Sequence, residues 1–117
     1  MKNYRKGTKM SDQEEKIQKL QMLEQNLQQI IMQKQQFQAQ LAEVDSALTE
    51  LSATDSAYRI IGNIMVAADK HVLTNSLKEK KEMAEIRVKS VEKQERKLKE
   101  EAQSLREDVM KHMKENE

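Results

Sequence analysis

Near the midpoint of the chain, residues 57–68 read AYRIIGNIMVAA, two apolar runs on either side of Gly62-Asn63. Tyr58, Ile60, Ile61, Ile64 and Val66 are good strand formers. A Gly-Asn pair between such runs signals a two-residue hairpin, because glycine accepts the positive φ that a primed turn requires. The stretches on both sides are polar with helical periodicity, so the chain offers this hairpin no third strand. An isolated two-stranded hairpin is at best marginal in water, and other chains must complete it. Alternation places Tyr58 and Ile60 on one side of the first strand and Ile61 on the other. On the second strand Ile64 and Val66 share a side and Met65 takes the opposite one. Both faces are therefore partly apolar, which a solvent-exposed hairpin does not tolerate, and both strand edges are open for pairing. Tyr58, Ile60, Ile61, Gly62, Ile64, Met65 and Val66 are thus the expected oligomerisation surface, and a multi-chain β-barrel is the economical way to use it.

The flanking sequence predicts two long helices, 11–52 and 74–116. Ser11 is a good N-cap, with Asp12, Glu14 and Glu15 in the first turn where the helix dipole favours anions. From Leu20 a heptad runs through Leu23, Leu27, Ile30, Lys34, Phe37, Leu41, Val44, Leu48 and Leu51, apolar at every position but Lys34. Eleven glutamines between Gln13 and Gln40 keep the other faces polar. Residues 52–56, SATDS, are turn formers, and Thr74, Asn75 and Ser76 supply a start for the second helix. Its seam is Leu77, Lys81, Ala84, Val88, Val91, Glu95, Leu98, Ala102, Leu105, Val109 and His112. Arms of equal length, each about 60 Å at 1.5 Å per residue, argue for one antiparallel coiled coil. Folding about Gly62-Asn63 puts Leu48 opposite Leu77, Leu41 near Ala84 and Leu27 opposite Leu98, with both chain ends together at the far tip. Lys34 then falls near Glu95 and Lys81 near Asp45, charges expected to fix register. The expected fold is mostly α: a long antiparallel coiled coil with one central β-hairpin that joins a multi-chain β-barrel.

Composition supports this and removes several classes of function. There is no Pro or Trp, one Phe, and 35% of residues are charged, too little bulky apolar material for an ordinary globular core. No cysteine is present, so neither a disulfide framework nor a thiolate metal site is expected. His71 and His112 are far apart without ligand-spaced partners and read as surface residues. No phosphate loop or nucleophile motif occurs, so an enzyme is not expected, nor a cofactor. No apolar run is long enough to span a membrane, and the protein is expected to be soluble and cytoplasmic. Residues 1–10, MKNYRKGTKM, carry Lys2, Arg5, Lys6 and Lys9 without an acid and read as a disordered basic tail. Met10, followed by SDQEEKI, is an alternative start. Residues 11–117 are expected to form a single domain.

Met10, Met22, Met110 and Met113 all map to the tip, off the seam or at its edge. Flexible, polarisable methionine suits a surface that accommodates many partners.

Tyr58-Arg59-Ile60-Ile61-Gly62-Asn63-Ile64, Leu73-Thr74 leading into Leu77, and Val91-Glu92-Lys93-Gln94-Glu95 follow one another in an order and spacing that resembles the prefoldin family, and within it the beta-type subunit with a single hairpin. The resemblance covers about residues 14–113. It departs from the family in the basic residues 1–10 and in His71, where an acidic residue is usual. It implies a prefoldin-like domain over 11–117, in a hexamer of two alpha and four beta subunits whose hairpins form a double barrel. Six coiled coils project from that platform, hold non-native polypeptides without ATP, and pass them to a group II chaperonin. The partners implied are an alpha subunit, unfolded clients and the chaperonin. Beyond Leu20 the seam offers only Gln13 and Lys16 against Val109 and His112. The last turns are therefore expected to splay and bind clients through Ile17, Leu20, Met22, Leu23, Val109, Met110 and Met113. Periodicity alone equally allows Ile17, Leu20, Leu23 and Val109 to close the coil. The competing function is a nucleic-acid- or ribosome-associated coiled coil that uses the basic tail, and a third is a structural spacer.

Overall fold

Four elements follow one another: helix α1 (Asp12–Ser52), strands β1 (Ala57–Ile61) and β2 (Ile64–Ala68), and helix α2 (Lys70–Glu115). The structure is a computed structural model that describes residues 11–115. The basic segment 1–10 with Met10, and residues 116–117, lie outside the described residues, together with the expectations attached to them.

Ser11 caps α1 as expected. Its hydroxyl accepts from the Glu14 N–H at 3.2 Å and its carbonyl accepts from the Glu15 N–H at 3.0 Å. At the other end the helix tightens and stops. The Ala53 N–H donates to the Glu50 carbonyl and the Thr54 N–H to the Leu51 carbonyl, a 3₁₀-type last turn. The Ser52 and Thr49 hydroxyls bond back to the Thr49 and Asp45 carbonyls.

The second helix begins at Lys70, four residues before the expected Thr74. Its N-cap is Asp69, directly after β2. One carboxylate oxygen accepts from the His71 N–H at 2.8 Å and the Val72 N–H at 3.2 Å, and its carbonyl accepts from the Leu73 N–H at 3.0 Å. Thr74, Asn75 and Ser76 lie inside the first turns. Asp69→Ala should therefore cost about 1 kcal/mol. The expected readout is a lower urea midpoint, with amide protection lost first at residues 70–73.

The chain divides into two compact units. The hairpin unit, Gln33–Glu92, contains both strands and the adjoining stretches of the two helices. The strands pair antiparallel in the register Ala57↔Ala68, Tyr58↔Ala67, Arg59↔Val66, Ile60↔Met65 and Ile61↔Ile64. Gly62 has φ +62° and no other described residue has a positive φ, so the turn carries glycine at its first central position in the type II′ manner. In this unit the helices run antiparallel: Lys81 Nζ lies 2.8 Å from Asp45 Oδ1, as the register requires, and the Arg87 guanidinium stands 6.0 Å over the Phe37 ring centroid. Leu51, Ala57, Ala84, Val88 and Val91 are buried.

The other unit is Met1–Met32 with Lys93–Glu117, of which 11–32 and 93–115 are described. Its helices also run antiparallel, pairing Gln13 with Val109, Lys16 with Asp108 and Glu24 with Arg106. Leu23, Ala102 and Val109 are buried, as is the charged seam residue Glu95, whose carboxylate lies 3.5 Å from Lys99 Nζ. Every seam position from Leu20 to Leu51 and from Leu77 to Val109 is buried or half-buried, and His112 is exposed. The heptad reading thus holds along both helices. No helix among the described residues is long and apolar enough to cross a membrane.

Candidate functional site

Two surfaces carry the sequence-predicted site residues, one in each unit. The first is the hairpin. Directly opposed residues of an antiparallel pair share a face, so Tyr58, Ile60, Met65 and Ala67 lie on one side. Ala57, Arg59, Ile61, Ile64, Val66 and Ala68 lie on the other, as alternation predicted. Tyr58, Ile60, Ile61, Ile64, Met65 and Val66 are all exposed, from 42% at Val66 to 74% at Ile60. Only the root is packed, where Ala57 lines a hollow with Leu51, Leu73 and Leu77. The sheet has two strands, so each keeps one unpaired edge. Six bulky apolar side chains within ten residues, on both faces of a strand pair with open edges, form an unfinished core.

The second surface lies at the paired ends of α1 and α2. Here the structure differs from the expected splaying. Leu23 and Val109 are only 8% and 7% exposed, and Leu20 is half-buried. The poor seam residues turn out to have partners. The Gln13 amide N–H donates to the Val109 carbonyl at 3.2 Å, and Lys16 Nζ reaches Asp108 Oδ2 at 2.8 Å. Polar residues at seam positions close the coil here through cross-helix bonds. The exposed members of the predicted set are Ile17, Met22, Met110 and Met113. They do not form one patch. Counted from the seam, Ile17, Met110 and Met113 fall on the flank marked by the Glu24–Arg106 pair. Met22 falls on the opposite flank, beside the open groove lined by Lys19, Leu23, Leu105 and Asp108.

The Lys16–Asp108 pair has an electrostatic signature. Its hydrogen bond, and then the opposite charge, raise the Lys16 ammonium above its usual value. The same hydrogen bond and charge hold Asp108 below the usual carboxylate range, with His112 and Lys111 adding to the effect. Because the folded value of Asp108 is depressed, the pair's stabilisation is fully present above the ordinary carboxylate range and is lost as pH falls through the lowered value. The Asp108 side-chain carbon signal should titrate below the usual aspartate midpoint by NMR, and Lys16→Met should move it up toward that midpoint. An Asp108 midpoint that ignores Lys16→Met would rule the pair out.

Sequence reasoning missed Asp69 as a cap and Lys16 as one half of a pair. Aspartate directly before a helical run was a readable signal for the first; the second needed the cross-helix register. Among the described residues, no group of three or more His, Asp or Glu side chains is placed to hold a metal ion.

A hairpin with an unfinished core between two antiparallel-paired helices matches known proteins. The family model described as "Prefoldin subunit" matches residues 14–116. The chain belongs to the prefoldin family. Among solved structures it is similar to the prefoldin beta subunit from Thermococcus strain KS-1, with a TM-score of 0.82 and 29% sequence identity. The match covers 88% of this chain and 93% of that one. No curated protein sequence matches it. This prefoldin chain is therefore a chaperone subunit, built as two long helices around one antiparallel hairpin, and its family works by assembling with other prefoldin subunits.

Proposed function

We propose that this chain is the beta-type subunit of an ATP-independent, cytoplasmic holdase. Its hairpin joins those of an alpha-type subunit in a β-barrel platform, in a hexamer of two alpha chains and four copies of this one. Its helix ends bind non-native polypeptides, which the complex then delivers to a group II chaperonin. The observation that carries this reading is the hairpin, whose bulky side chains stand exposed on both faces with both edges unpaired. Fully burying one such side chain contributes about 1.5–3 kcal/mol, so six per chain favour assembly strongly.

For client capture the exposed Ile17, Met22, Met110 and Met113 make first contact, and Leu20, Leu23 and Val109 come within reach when the last turns open. Lys19, Lys111, Lys114 and Glu115 keep the surface solvated. Each contact is weak, and several copies in one complex add avidity. The test is light scattering by a chemically denatured client diluted into buffer with the assembled complex. Aggregation should be suppressed equally with and without ATP. Suppression that requires ATP, or none at all, would count against the reading.

A further inference from the structure

The six methionines among the described residues are all well exposed, between 54% at Met83 and 66% at Met65, and none occupies the seam. Methionine is ordinarily an interior residue. Here Leu, Val, Ala, Ile and Phe fill the seam, and methionine supplies apolar contact outside it. Met22, Met110 and Met113 lie in the helix-end unit, beside rather than within the packing of Leu23, Ala102 and Val109. Oxidising these thioethers therefore changes what the surface offers without removing a core contact.

We propose that Met22, Met110 and Met113 are reversible oxidation sites, on the two flanks of the helix ends, that turn client capture down, an inference that rests on the client-binding reading above. The oxidant is a hydroperoxide. The thioether sulfur attacks one peroxide oxygen, the O–O bond breaks, and an S–O bond forms. The sulfur is oxidised by two electrons and the peroxide leaves as water or an alcohol. A reductase drawing on a dithiol reverses the step, giving thioether, disulfide and water. The sulfoxide is polar, so each of the three positions loses its apolar surface while the coil beneath stays paired.

The test treats the assembled complex with hydrogen peroxide over time and quenches it. Sulfoxide at each methionine is mapped by peptide mass spectrometry, and protection of a denatured client and helicity are measured on the same samples. Protection should fall in step with sulfoxide at Met22, Met110 and Met113, with helicity and assembly unchanged, and methionine sulfoxide reductase with dithiothreitol should restore it. In M22L/M110L/M113L, compared with its own untreated sample, peroxide should remove a much smaller share of protection. Full sulfoxidation of the three residues with protection intact would overturn the proposal. So would an equal loss in the leucine variant, or a loss that accompanies unfolding. The serine variant described below keeps the two readings apart. If it fails to protect while the sulfoxide protein still protects, only the oxidation sites fall; if it protects, the client surface falls with them.

Discussion

Ile64→Asp should release the chain from its assembly as monomers while leaving its helical signal nearly intact. Ile64 sits beside the turn, pairs with Ile61, and is among the most exposed large side chains. Completing the sheet with strands from other chains would bury it. An aspartate there would be an unpaired charge in the barrel, at an effective cost of several kcal/mol per ion. Added to the lost burial of Ile64 and repeated in every copy, that cost falls on an assembly that must also offset the lost freedom of association. The helices do not depend on the hairpin for their seam, so circular dichroism should change little. Gly62→Val is the milder companion. Nothing lies within 4 Å of a Cβ placed at Gly62, so the substitution meets no clash. Its strain comes only from φ +62°, about 1–2 kcal/mol for a residue with a Cβ and more awkward for a β-branched one. It should weaken assembly without abolishing it. Sedimentation velocity orders the variants, and an Ile64→Asp chain that sediments with the wild-type complex would contradict the hairpin's assigned role.

The second large effect is on client capture. Replacing Met22, Met110 and Met113 with serine removes three exposed apolar side chains and no seam contact. The complex should assemble normally and melt at nearly the same temperature, yet protect a denatured client poorly. Met32 and Met83 are also exposed, but in other parts of the helices. Serine at those two positions is the control, removing two exposed methionines elsewhere. If both triple and control variants protect as wild type does, the client surface lies away from the helix ends.

Most of the fold was legible because its signals are periodic. Leu20 to Leu51 spell a heptad that needs no knowledge of the partner, and Gly62-Asn63 between apolar runs fixes turn and register together. The start of α2 was less legible. Val72 and Leu73 after Ala67-Ala68 prolong an apolar, strand-like pattern and obscure the Asp69 cap. The state of the helix ends could not be read along one helix. Gln13 and Lys16 look like failures of the seam until the Val109 carbonyl and the Asp108 carboxylate are placed across from them. Likewise distance from the turn groups Met22 with Met110 and Met113, but it stands on the other flank, which is visible only when both helices are set in register. The hairpin surface was the most legible of the candidate sites, because alternation over five-residue strands determines both faces.

The most direct test of the account is the mass of the complex in solution, measured by sedimentation equilibrium for this chain alone and mixed with a prefoldin alpha subunit. The mixture should contain a single species whose mass equals four copies of this chain and two of the alpha subunit, and which dissociates when Ile64→Asp replaces the wild-type chain. Two independently sedimenting components in the mixture, with this chain at the mass it has when measured alone, would contradict the account.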